Sequence, residues 1–270
     1  MSFIESLTAS FCQRRWLLLG LAALLLGACA SKNDKDFRTD VTLLYERAHK
    51  AMENGNFRNA VVYYEALEAR YPFSNEGKQA QLDLIYCHYK NGNRDSAIEA
   101  ATQFERENPT HPRLDYALYM RGLAAFKGQS NALYRLLRID LSRRPQDRAM
   151  ESFSAFSQLL QRFPQSAYAA DARQRMIFLR NRLAEHENHV ARYYLERGAY
   201  MAALNRAKFS AETYNGAPAV AESLRIMVDS YRALQMNDLA ESTRSVLAAS
   251  YPPAAAAQTD SEKKAWYRFW

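Results

Sequence analysis

The stretch from Gly55 to Pro72 (GNFRNAVVYYEALEARYP) returns thirty-seven residues later as Gly92 to Pro109 (GNRDSAIEAATQFERENP). In both copies a Gly-Asn pair opens a turn, a small residue (Ala60, Ala97) follows five positions after the Gly, and a Pro closes the unit seventeen positions after it. A fixed period of this length means stacked helical hairpins, because one hairpin alone cannot bury its apolar face. An all-α solenoid is therefore expected.

Aligning the chain on this unit predicts a first hairpin over about 41–54 and 57–70, with Ala48, Ala51, Ala60 and Tyr64 facing inward, and a second over about 75–90 and 94–107. Small residues let two helices approach closely and aromatic ones fill the grooves beside them. The pattern resembles the tetratricopeptide repeat, with a period three residues longer than usual. A third copy begins at Leu118 to Phe126 but closes only at Pro164, with the surplus at 129–146 (QSNALYRLLRIDLSRRPQ), and its second helix resumes at about 148–162. Residues 167–195 contain neither Gly nor Pro and lead to Gly198, so the fourth copy has a first helix longer by fourteen residues. That is about four helical turns, which keeps the same face toward its neighbours. The fifth copy has Gln235 in the Gly place, Ala240, and Pro252 at its end. The expected fold is an α-solenoid of five tetratricopeptide-like hairpins.

Ahead of the repeats, Arg14 and Arg15 precede the apolar run Trp16 to Leu26, which ends in Leu26-Gly27-Ala28-Cys29. A basic start, a short apolar segment and small residues before a cleavage point mark a secretory signal rather than a membrane span. Leu-Gly-Ala-Cys resembles the bacterial lipobox, in which the Cys is acylated and becomes the first residue of the mature chain. The expected organisation is a signal peptide at 1–28, a lipid-anchored tether at 29–40, N-terminal repeats at 41–164, C-terminal repeats at 165–253 and a tail at 254–270. Ala30 at the second mature position, where inner-membrane retention resembles an Asp signal, favours the outer membrane. Removing residues 1–28 takes away Glu5, Arg14 and Arg15 and lowers the formal charge from +7 to +6. Acidic residues are interspersed throughout, so this modest excess points to no nucleic-acid partner.

Catalysis requires convergent polar groups, and the five His are scattered. Only His186 and His189, with Glu185 nearby, share a helix face and could offer two metal ligands, a solvated helix face being the plainer reading. There is no phosphate-cradling Gly loop and no nucleophile elbow. Cys12, Cys29 and Cys87 allow no disulfide framework or zinc spacing, and Cys87 is expected to be a buried small hydrophobe. The chain is read as a binding scaffold without cofactor or metal rather than an enzyme. A lytic transglycosylase working through a lone Glu, and a repeat lipoprotein coordinating peptidoglycan synthesis, are the alternatives.

With tetratricopeptide geometry the first helix of each hairpin builds the concave wall. That projection puts Tyr45, His49 and Met52 there from the first copy, Leu82, Tyr86, Tyr89 and Lys90 from the second, and Tyr116, Tyr119, Phe126 and Lys127 from the third. Seventeen Tyr against three Trp supply such a wall. Aromatic rings give large apolar contact at low entropic cost, and Lys can meet a carboxylate. The expected ligand is an extended peptide with aromatic side chains and a free C-terminus. The insertion alternates Leu133, Leu136, Leu137, Ile139 and Leu141 with Arg135, Arg138, Arg143 and Arg144, as a membrane-surface helix would, though so short a segment fits a groove cover or partner contact better. The tail ends Trp266-Tyr-Arg-Phe-Trp270, which resembles such a ligand and could occupy the groove in cis.

The lipobox, the interrupted third hairpin and the segments Arg70-Tyr-Pro-Phe73, Gln81-Leu-Asp-Leu-Ile-Tyr86, Asn108-Pro-Thr-His-Pro112, Tyr119-Met-Arg-Gly122 and Tyr194-Leu-Glu-Arg-Gly198 together resemble the BamD family over about residues 26–252. These are lipoproteins of the β-barrel assembly machinery. The resemblance implies a periplasm-facing outer-membrane lipoprotein whose N-terminal hairpins receive the C-terminal segment of unfolded outer-membrane proteins. It also implies docking of the periplasmic domains of BamA near Arg197 and Gly198, and contacts with other lipoprotein subunits elsewhere.

Overall fold

The computed structural model describes residues 41–126 and 141–252. Among these residues there are ten α-helices and no strand: α1 Val41–Glu53, α2 Phe57–Arg70, α3 Asn75–Lys90, α4 Arg94–Glu107, α5 Leu114–Ala125, α6 Asp147–Arg162, α7 Ala169–Glu196, α8 Tyr200–Thr213, α9 Val220–Ala233 and α10 Asn237–Ser250. A single 3₁₀ turn, Leu141–Arg143, precedes α6. The helices pair in order into five antiparallel hairpins, as the repeat predicts. Cys29, the tether, most of the insertion and the tail lie outside the described residues. The chain divides into two compact units at Ala80 and Gln81, inside α3.

The turn inside each hairpin follows from the Gly place. Gly55, Gly92 and Gly198 take φ of 74°, 83° and 75°, and Gln235 follows them at 62°. At each of the four, the next residue's N–H reaches back five residues: Asn56 to the Ala51 carbonyl, Asn93 to His88, Ala199 to Tyr194 and Met236 to Tyr231. This is the Schellman closure, which satisfies helix-end carbonyls and requires a left-handed residue. Glycine meets that demand without a Cβ penalty; Gln235 pays one.

The closing Pro has an equally local effect. The residues before it, Tyr71, Asn108, Phe163 and Tyr251, have φ between −137° and −129° and ψ between 51° and 63°. A following Pro pushes its predecessor out of the helical region, so the helix stops there. Each of these four residues still donates its N–H to the carbonyl four residues back.

Packing explains the small residue. Ala60, Ala97 and Ala203 are fully buried, and Ala240 is 1 % exposed. In the third hairpin Ser152 holds this place, buried, with its hydroxyl donating to the Gly122 carbonyl at 2.9 Å. Gly122 lies against the buried ring of Phe156, where an added Cβ would come within 2.4 Å of the ring. The core of the second unit gathers Leu82, Ile85, Phe104, Leu118, Phe156, Leu159 and Leu179. Burying such a side chain contributes about 1.5–3 kcal/mol.

Polar fasteners join the helices of the second unit. Gln81 donates to Glu107 at 2.8 Å and accepts from Asn108 at 3.0 Å. Glu105 accepts from Arg121 and from Arg162, both at 2.8 Å. On the long α7, Asn188 donates to the Ala219 carbonyl at 2.8 Å, and Asn181 accepts from the Ala219 N–H at 3.0 Å. The buried Ser223 hydroxyl donates to Asn188 at 2.7 Å and lies 2.8 Å from the Ser210 hydroxyl. Buried polar groups cost free energy unless paired, and these pairs fix how α7, α8 and α9 meet.

Candidate functional site: an aromatic wall

In the first unit, α1 carries Tyr45, His49 and Met52 at helical spacing, so all three lie toward α2. The Tyr45 ring stacks on His49 with centroids 5.8 Å apart and tilts against Tyr64 at 5.9 Å. Tyr64 is fully buried and its hydroxyl points to the Met52 sulfur at 3.9 Å. His49 Nε2 lies 3.4 Å from Glu53. The three projected residues are thus gathered around Tyr64, partly used for packing and partly open.

In the second unit, Leu82 is fully buried and belongs to the core, not the wall surface. Tyr86 is half-buried, and the exposed Lys90 places Nζ 5.5 Å from its ring centroid. Tyr89 is also half-buried and packs against Ala97, Ile98, Ala124 and Ala125. Lys127 lies outside the described residues.

Tyr116, Tyr119 and Phe126 on and after α5 meet a row of residues at the start of α7. Tyr168 stacks on Tyr119 with centroids 4.6 Å apart and planes at 17°, and tilts against Tyr116 at 5.8 Å. The Arg113 guanidinium lies 4.9 Å over the Tyr116 ring. Tyr119 donates to Asp171 at 2.8 Å, and Asp171 also accepts from Arg175 Nε at 2.5 Å. Arg175 in turn lies 4.9 Å over the Phe126 ring, which meets Phe178 edge-on at 5.8 Å. Rings, two cations and one carboxylate therefore follow one another along a continuous ladder shared by α5 and α7. Aromatic pairs of this geometry add about 0.5–1.5 kcal/mol each beyond the area they bury, so the ladder is rigid.

The electrostatics keep the Tyr116 and Tyr119 hydroxyls neutral. Burial, with the Asp83 charge second, pushes the Tyr116 hydroxyl well above the ordinary tyrosine range. Burial and then the bond to Asp171 raise Tyr119 to about 12. Asp171 lies below its ordinary value, chiefly through the Arg175 hydrogen bond, with burial opposing and Tyr119 adding. The wall presents phenol donors and aromatic faces, with Lys90, Arg113 and Arg175 as its cations.

Tyr168, Asp171, Arg175 and Phe178 are not among the residues projected from the sequence. Their signal was the i, i+4 pair Asp171 and Arg175. The lengthened α7 hid it, because counting back from Gly198 lands in the helix's second half.

The other projected positions fall elsewhere. Arg197 is exposed and its guanidinium sits 3.8 Å over the ring of the exposed Tyr193, one residue before the Gly198 turn. His186 Nδ1 bonds the Ser142 carbonyl at 2.6 Å, whereas His189 Nδ1 lies 3.0 Å from Arg192. They are directed to different partners, and among the described residues no three His, Cys, Asp or Glu groups converge as metal ligands would. A cavity of about 540 Å³ beside His189 is lined by groups that already hold partners: Asn181 donates to Glu185, Asn188 donates to the Ala219 carbonyl, and Glu222 accepts from Arg225. No helix among the described residues is long and apolar enough to cross a membrane.

Residues 38–247 match the model of a family described as "Outer membrane lipoprotein". The chain is 40 % identical over 260 residues to the outer membrane protein assembly factor BamD of Neisseria gonorrhoeae, covering 93 % of this chain and 96 % of that one. It is 41 % identical over 260 residues to the protein of the same name in Neisseria meningitidis serogroup B, with the same coverage. It is 39 % identical over 231 residues to that of Vibrio cholerae, covering 85 % of this chain and 96 % of that one.

Proposed function

As a member of the BamD family, this chain is an outer-membrane protein assembly factor built from helical repeats, and we propose that its aromatic wall receives the C-terminal targeting segments of unfolded outer-membrane proteins. The observation that supports this most is the ladder from Arg113 to Phe178. Its rings pack on one another at 4.6 to 5.8 Å, so an incoming aromatic side chain would lie beside them, and the Tyr119 hydroxyl donates to Asp171 rather than carrying charge. A free carboxylate at the end of such a segment would find Lys90 and Arg175 on the same wall.

Two further parts complete the proposal. Cys29 carries the lipid that holds the chain at the periplasmic face of the outer membrane, and residues 30–40 are its tether. The second half of α7 and the following turn dock the periplasmic domains of BamA. There Arg197, 3.8 Å over the Tyr193 ring, offers a cation already ordered for a partner carboxylate. The remaining lipoprotein subunits of the machinery bind elsewhere on the repeats.

Photo-crosslinkers at Tyr86, Lys90, Tyr116 and Phe126 test the reading. A peptide copying the last residues of a β-barrel protein should crosslink at these positions and not at Lys208 on α8, and a peptide with its aromatic residues replaced should compete poorly. Equal crosslinking at Lys208 would remove the wall from the mechanism. Recovery of a large β-barrel protein with the wild-type chain, lost on Arg197→Glu, tests the docking half.

A further inference from the structure

The turn between α2 and α3 carries the most exposed large apolar side chain among the described residues: Phe73 is 91 % exposed. The turn that presents it is held rigidly. The Tyr71 N–H donates to the Leu67 carbonyl at 2.8 Å, and the Tyr71 carbonyl accepts both the Ser74 N–H at 3.1 Å and the Ser74 hydroxyl at 2.9 Å. The same hydroxyl accepts from the Gly77 N–H at 2.8 Å and caps α3. Gly77 passes so close that a Cβ there would lie 2.1 Å from the Tyr71 oxygen. Pro72 fixes the remaining freedom. Phe73 is thus aimed outward by a turn that cannot fold it back.

Its place in the repeat is distinctive. The residue after the closing position is Thr110 in the second copy, Gln165 in the third and Gly216 in the fourth. Only the first copy puts a ring there. The first copy is also the one joined to the tether: α1 and α2 are antiparallel, so the α2–α3 turn lies at the end of the hairpin where α1 begins at Val41. Leu43, 40 % exposed, is at that same end. Eleven residues of chain, 30–40, separate Val41 from Cys29. Fully extended they reach at most about 42 Å.

From these observations we infer that Phe73 is an aromatic foot that enters the lipid interface beside the anchored Cys29. The inference rests on the proposed acylation of that residue. Aromatic side chains favour the headgroup level of a bilayer, where one face is apolar and the surroundings are wet. A single ring binds a bilayer only weakly by itself. Next to a covalent anchor the ring acts at the high effective concentration set by a short tether, so weak insertion suffices to fix which end of the hairpin faces the membrane.

The test uses the acylated full chain in phosphatidylethanolamine and phosphatidylglycerol vesicles that contain spin-labelled lipid. Phe73→Cys and, at the opposite end of the hairpin, Asn54→Cys are labelled with an environment-sensitive fluorophore; Cys87 is buried and stays unlabelled. The expected result is blue-shifted emission at position 73 that is strongly quenched by the spin-labelled lipid, with neither effect at position 54. A chain that floats with the vesicles but shows an unquenched label at 73 overturns the foot and leaves the anchor standing. A blue shift that appears only on adding a protein partner, or only at high protein concentration, overturns it in favour of a protein contact. A chain that does not float overturns the anchor itself, and the foot with it.

Discussion

The hydroxyl of Tyr119 on α5 donates to the carboxylate of Asp171 on α7 at 2.8 Å, so the third and fourth hairpins share a hydrogen bond in the middle of the aromatic wall. The Arg175 bond holds Asp171 below its ordinary pKa, and burial partly opposes this. A carboxyl lowered on folding adds stability that is fully present above its unfolded value, near 4, and is lost as pH falls through the depressed folded value. Asp171→Asn should therefore flatten the acid side of the stability curve. Urea unfolding at successive pH values between neutral and acid reads this; an unchanged acid slope contradicts it.

Cys87 offers a test of the packing around α3. Burial, with the Asp83 charge second, raises its thiol to about 12. The thiolate is the reactive form, so the folded chain should resist Ellman's reagent at neutral pH. Reaction at Cys87 is expected only at the rate of opening, and to accelerate in step with unfolding as urea is added.

The contact between Gly122 and Phe156 is intolerant of one methyl group. In Gly122→Ala the new Cβ would stand 2.4 Å from a fully buried ring, so the ring or helix must shift. Overpacking of this kind costs about 1–3 kcal/mol. Phe156→Leu should cost stability alone yet restore part of it in the Gly122→Ala background. Denaturation of the four proteins of this cycle measures the coupling.

Gln235 should be improvable. It holds φ of 62° in a turn where Gly55, Gly92 and Gly198 do the same job. Left-handed backbone costs a non-glycine residue about 1–2 kcal/mol, offset in part by the greater unfolded-state freedom of Gly. Gln235→Gly is expected to gain about 0.5–1 kcal/mol, and Gly92→Ala to lose a similar amount or more. A rise in thermal midpoint for the first and a fall for the second is the readout.

Helix ends were legible because their causes are local. The Gly place and the closing Pro act within six residues, so α2, α3 and α4 have the bounds read from the repeat. Even Gln235 could be placed, since alignment on the repeat outweighs its own propensity. The wall was legible only by half. Tyr86, Tyr116 and Tyr119 follow from the unit, but Tyr168 and Arg175 belong to a helix whose length breaks the count. Leu82 fails for a different reason: the projection tells which helix builds the wall, not which of its residues the neighbouring hairpin covers. The family segments resolved largely into fasteners. Gln81 meets Asn108, and Arg121 meets Glu105, which are pairings across helices that no single segment reveals.

The peptide's terminal carboxylate supplies the sharpest test of the wall. Arg175 is charged, lies 4.9 Å over Phe126 and is held by Asp171, which competes with any incoming anion. If a client segment ends against Arg175, Asp171→Asn removes the competitor and should tighten binding of a free-acid peptide several-fold. It should leave the C-terminally amidated peptide nearly unchanged. Arg175→Ala should weaken the free-acid peptide and likewise spare the amide. Close charge pairs at interfaces couple by about 1.5 kcal/mol or more, a factor of ten in affinity, which fluorescence titration resolves. Equal effects of either substitution on both peptides would mean that Arg175 serves only to pack Phe126, and the carboxylate would then be sought at Lys90.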